Sequence, residues 1–123
     1  MTALFGLFAL ALPPSTTAAK EPKQLSFPGD MEFAGSVKLL KQGGNVGRDK
    51  PFHDRDRVQI KFSNEPDVIT CTLRIPKPKA KIDPGGTSPV AIKCAKEFKL
   101  EDDKLSFVIF EGGRKVGEGA IRP

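Results

Sequence analysis

The sequence predicts an all-β domain, a sheet of six short strands curled on itself into a small barrel or sandwich. Three observations carry this. From Phe33 onward the apolar residues recur with period two. Clusters of Gly, Pro, Asn and Asp separate the alternating runs. No window holds a helical period for three turns. Strands that each bury one face need a second layer or a closed ring to cover it.

In the first predicted strand, Phe33, Gly35, Val37 and Leu39 alternate with Ala34, Ser36 and Lys38. In the second, Val58, Ile60 and Phe62 alternate with Gln59 and Lys61, and in the third Ile69, Cys71, Leu73 and Ile75 alternate with Thr70, Thr72 and Arg74. Val90, Ile92 and Cys94 make the fourth, and Leu105, Phe107 and Ile109 the fifth. The sixth runs from Lys115 to Ile121, where Gly117 and Gly119 predict a bulge or a close backbone approach. Turn signals lie between the strands, at Gly43-Gly44-Asn45, Asn64-Glu65-Pro66-Asp67, Asp83-Pro84-Gly85-Gly86, Glu101-Asp102-Asp103 and Glu111-Gly112-Gly113. There is no internal repeat.

Residues 1–19 are a different material. They hold no charged side chain, and Ala3 to Leu12 is an unbroken apolar run. At about ten residues it is half the length a membrane-spanning helix needs. Pro13-Pro14 and the small residues Ser15 to Ala19 follow, then Lys20. That order reads as a secretory signal peptide cleaved after Ala19, which leaves no transmembrane anchor after processing. The segment lacks a basic start, so a cytoplasmic or organellar location stays open. Residues 20–30 read as a linker, charged and broken by proline, and the barrel is expected over 31–123.

The 123 residues suffice for one domain with its own core. Hydrophobic residues at 38% and charged residues at 28% exclude a disordered chain. Net charge is +5, which favours an anionic surface, RNA or an acidic protein as partner. Nine Phe stand beside no Trp and no Tyr, so the aromatic content belongs to a core rather than a binding face. Two cysteines allow one disulfide, Cys71 to Cys94. If the third and fourth strands pair with Ile75 opposite Val90, Cys71 faces Cys94, and a bridge there contributes about 3 kcal/mol. Two buried free thiols are the alternative.

The inventory for catalysis is poor. His53 is the one histidine, and His53, Asp54 and Asp56 form a solvated loop rather than a metal site. There is no nucleophile elbow, no paired-histidine zinc motif and no phosphate-binding glycine loop, so neither an enzyme nor a nucleotide, metal or other cofactor is expected. Basic residues concentrate at Lys77, Lys79 and Lys81, at Arg55 and Arg57, and at Arg114 and Lys115. They either solubilise the domain or contact an anion.

The stretch Glu101-Asp102-Asp103-Lys104-Leu105-Ser106-Phe107-Val108-Ile109-Phe110-Glu111-Gly112-Gly113-Arg114-Lys115-Val116-Gly117-Glu118-Gly119 resembles the end of the third, C-terminal domain of the elongation factor Tu and elongation factor 1-alpha family. Upstream, Phe33 to Leu40 is similar to that domain's first strand, and Gly47-Arg48-Asp49-Lys50-Pro51-Phe52 to its Gly-Arg-x-x-Pro-Phe loop. Arg57 to Phe62 looks like its Arg-Pro-Gln-Phe-x-Phe strand. The resemblance covers residues 31 to 121 and implies a six-stranded antiparallel Greek-key barrel.

In the family this domain helps hold the T-stem of aminoacyl-tRNA, and in bacteria it docks the nucleotide-exchange partner. The resemblance makes Arg57, Gln59, Glu111, Gly112 and Arg114 the candidate RNA- or partner-binding residues. Two departures weaken the tRNA face: Ile69 stands where the family has Thr, and Glu97 where it has a polar or basic residue. No GTPase domain or middle barrel precedes the segment in this sequence, so delivery of tRNA is not implied. The expectation is a stand-alone binding module for a protein or an anionic surface, with a tRNA- or ribosome-associated domain as the alternative.

Overall fold

A computed structural model describes residues 22–122. Residues 1–19, read from the sequence as a signal peptide, lie outside the described residues. The chain forms β1 (Gln24–Phe27), β2 (Glu32–Leu39), β3 (Phe52–His53), β4 (Arg57–Phe62) and β5 (Ile69–Arg74). There follow β6 (Lys81–Ile82), β7 (Thr87–Cys94), β8 (Phe98–Glu101), β9 (Ser106–Glu111) and β10 (Arg114–Ile121). Six of them close an antiparallel barrel in the order β10-β2-β7-β5-β4-β9, with β9 returning to β10. Strands β4, β5 and β7 form a meander and β2 returns beside β7, which is Greek-key order. The fold is all-β. Among the described residues no helix is long and apolar enough to cross a membrane.

Alternation builds the ring. Val37 and Leu39 of β2, Ile60 and Phe62 of β4, Leu73 of β5, Ile92 of β7 and Ile109 of β9 are fully buried, while their sequence neighbours face outward. No polar or charged side chain is buried among the described residues. The core is therefore held by apolar burial, worth about 1.5–3 kcal/mol for each large side chain. In β10 the register with β9 shifts between Lys115 and Gly117, a bulge whose extra residue is Val116, beside the first of the two glycines. Gly119 is the close approach: a Cβ there would lie 2.2 Å from the Ser36 carbonyl oxygen and 2.7 Å from the Phe107 ring.

Two differences from the sequence reading concern short elements. Residues 20–30 do not form a linker throughout, because Gln24–Phe27 is strand β1, paired antiparallel with β8. Its period-two signal is only Leu25 and Phe27, four residues bounded by Pro22 and Pro28. What fixes it is distant: Phe27 stacks on Phe98 at 4.9 Å, and Phe98 stacks on Phe62 of the barrel at 4.0 Å. Strand β7 also starts at Thr87 rather than Val90, because Thr87, Ser88 and Pro89 carry no apolar alternation.

Candidate functional site

Strands β4 and β9 bring the five candidate residues to one end of the barrel. Gln59 pairs with Phe110, and Glu111 and Arg114 flank the two-residue turn from β9 to β10. Gly112 and Gly113 take positive φ values of 58° and 81°, which a tight hairpin of this hand requires.

Shared location does not give shared availability. The carboxylate of Glu111 is bound by the guanidinium of Arg48. Arg48 also donates to the Lys50 carbonyl at 2.8 Å and lies over the Phe52 ring at 4.5 Å. Arg114 donates to the carbonyls of Gly47 at 2.7 Å, Val46 at 2.9 Å and Gly44 at 3.1 Å. These two arginines clamp the loop 41–52 against the β9–β10 turn. Three hydrogen bonds of Arg114 and one oxygen of Glu111 are therefore committed inside the molecule.

Arg57 and Gln59 are in a different position. Both are exposed on the outer face of β4, and Arg57 makes no ion pair among the described residues. The register across the sheet extends from them. Arg57 pairs with Thr72 of β5, Thr72 with Lys93 of β7, and Lys93 with Glu32 of β2. One row towards the chain's turn 53–56, the Arg55 amide donates to the Leu73 carbonyl, which brings Arg55 alongside Arg74. On the other side Gln59 pairs with Thr70.

The result is an open basin of about 570 Å³ in which Arg55, Arg57, Arg74 and Lys93 surround Thr72. Asp30 and Glu32 close it on the β2 side. Arg57 and Lys93 stand two strand spacings apart, roughly 10 Å. Like charges at that distance in water repel by about 0.4 kcal/mol. A bound anion turns that repulsion into attraction.

Arg74 is partly committed, since its Nε donates to Asp54 at 3.2 Å. The Ile75 amide donates to the same Asp54 oxygen at 2.8 Å. That backbone donor chiefly holds the Asp54 carboxyl below its ordinary value; removal from water opposes it, and the nearby Arg74 and Arg55 guanidinium groups add to the lowering. Asp56 accepts from the His53 amide and closes the turn 53–56, while Asp54 ties that turn to the end of β5. Among the described residues no group of three His, Cys, Asp or Glu is placed to hold a metal ion.

The Cys71 and Cys94 sulfurs are bonded beneath the basin, at directly paired positions of β5 and β7. This tie is one pair along from Thr72 and Lys93. Reasoning from sequence placed Arg57 and Gln59 but passed over Thr70, Thr72, Arg74 and Lys93 as ordinary outward positions. The available signal was the register: once Cys71 faces Cys94, Thr72 must face Lys93.

A second groove of about 650 Å³ on another side of the barrel is flanked by Lys38, Lys61 and Lys115 over Ser36, Ser106 and Gly119. It offers less free charge. Lys61 donates to the Phe62 and Glu65 carbonyls, and Lys115 pairs with Glu118 at 3.4 Å. The Lys77 and Lys79 loop is exposed and lines no part of the basin, although Lys77 adjoins Arg74 in a neighbouring groove. No protein-family model matches the chain.

Proposed function

We propose that the protein is a non-catalytic binding module, an exported barrel resembling the elongation factor Tu C-terminal domain, that holds an anionic partner on the outer face of β4, β5 and β7. The observation that supports it is the set of four cations around Thr72, three of which, Arg55, Arg57 and Lys93, have no carboxylate within ion-pair distance among the described residues. A rigid sheet fixes the backbone that carries these cations, so binding orders only their side chains. Export is supported by the apolar N-terminal run and by the bonded cysteines, since such bonds persist in oxidising compartments.

The test is intact mass of protein from its native source, with thiols alkylated before reduction. A chain beginning at Lys20 with no alkylated thiol is the expected result. A full-length chain with two alkylated cysteines removes the export reading.

One observation favours a second reading, a tRNA- or ribosome-associated domain. Arg57 and Gln59 lie beside the Glu111-Gly112 turn that the family resemblance assigns to the T-stem. That reading expects salt-sensitive tRNA binding, lost in Arg57→Ala and Gln59→Ala.

A further inference from the structure

We infer that the basin around Thr72 takes a linear sulfated polysaccharide, one chain wide, lying along β5 between Arg57 and Lys93. This rests on the binding-module reading and names the ligand of the same site.

The width of the cationic zone sets the first limit. Charge is concentrated over two strand spacings, roughly 10 Å. Beyond Lys93 the next paired position is Glu32, with Asp30 also at that margin. A duplex or a flat bilayer wide enough to cover Lys93 would also press its own anions against Glu32 and Asp30. A single polymer chain running parallel to β5 meets Arg55, Arg57, Arg74 and Lys93 and leaves both carboxylates outside its path.

Aromatic side chains set the second limit. A single nucleic-acid strand is held by stacking its bases on exposed rings as well as by charge. The sequence has no Trp or Tyr, and every described Phe is buried or half-buried. None lines the basin. The site can grip charged groups along a backbone but has no ring on which to seat a base.

Donor arrangement sets the third. Arg57 and Lys93 flank Thr72 from opposite strands, and the Thr72 hydroxyl stands between them. Donors on three sides suit a tetrahedral oxyanion, whose oxygens point in several directions, better than a planar carboxylate. Sulfate esters repeated along a sugar chain supply that group without a base and without a wide body. The disulfide between β5 and β7 holds the Lys93 bank in register with the Thr72 floor.

The experiment is binding of the purified, disulfide-bonded protein to immobilised heparin across a salt series, with tRNA, unsulfated hyaluronan and phosphatidylserine vesicles as competitors. Folding of each variant is checked by far-ultraviolet circular dichroism melts. The expected result is heparin binding that hyaluronan, tRNA and vesicles compete for poorly at equal charge. Arg57→Ala with Lys93→Ala should weaken it about tenfold or more and lower the slope of log affinity on log salt by about two, one for each cation removed. Thr72→Ala should weaken binding with the salt slope unchanged. The control pair Lys77→Ala with Lys79→Ala, equal in charge removed, should change little.

Equal losses from the control pair would overturn the inference, because net charge and not the basin would then govern binding. Competition by tRNA or vesicles at equal charge, abolished by the Arg57 and Lys93 changes, would overturn the sulfated-chain ligand while leaving a binding module with another partner. A folded protein that holds none of the four probes would remove both the inference and the reading beneath it.

Discussion

Gly47 stands at φ 80°, and a Cβ built on it would lie 1.9 Å from the Lys41 carbonyl oxygen. Gly112 has a similar φ of 58° with open space around it. The two glycines therefore separate conformational strain from collision. Gly112→Ala should cost about 1 kcal/mol from the left-handed backbone alone. Gly47→Ala should cost about 2 kcal/mol or more, because the loop clamped by Arg48 and Arg114 must also move. Urea midpoints of the two variants compare them directly. Asp54 makes a different prediction. Its folded carboxyl is held below the ordinary 3.8, so its contribution to stability is complete above that value and is lost as pH falls through the lowered one. Melts of Asp54→Ala should fall below those of the parent at pH 6, and the gap should close towards pH 2. Arg57 and Gln59 were legible in the sequence, but Thr72, Arg74 and Lys93 beside them were not, nor were the partners that occupy Glu111 and Arg114. Glu111 is 63 positions from the Arg48 that neutralises it, and no local pattern links the two.

The barrel strands were legible because each repeats its period over enough residues to rule out a helix. The lesser strands fail that condition. β3 and β6 are two residues each, and β1 and β8 four. A run this short carries no readable period, and its conformation is imposed by what it packs against. For β1 and β8 that is the phenylalanine stack of Phe27, Phe98 and Phe62 at the open end of the barrel. Phe98 is 2% exposed, so Phe98→Ala should cost about 3–5 kcal/mol. Phe27 is half-buried, and Phe27→Ala should cost roughly half as much, about 1.5–2.5 kcal/mol. Chemical denaturation of both variants checks the ranking. Equal stability of Phe27→Ala and the parent would mean that β1 is an appendage and not a cover for the core.

Across the whole molecule, one covalent tie joins two adjacent staves of the ring. Cys71 and Cys94 are separated by 23 residues, and closing a loop of that length in the unfolded chain is worth about 3 kcal/mol. The Cys71→Ala, Cys94→Ala double variant should unfold at a lower denaturant midpoint by that amount under non-reducing conditions. The parent should approach it when reductant is added. Larger contributions come from closure itself, which leaves the barrel without a free edge. The strand that completes the ring is β10, seated between β2, the ring's earliest strand, and β9. Until β10 has been synthesised, β2 and β9 each lack a neighbour, and Phe107 lacks the glycine-lined backbone that packs on it. Ring closure therefore waits for the last barrel strand, and a chain cut before Arg114 would leave the edges of β2 and β9 open to pairing with another copy.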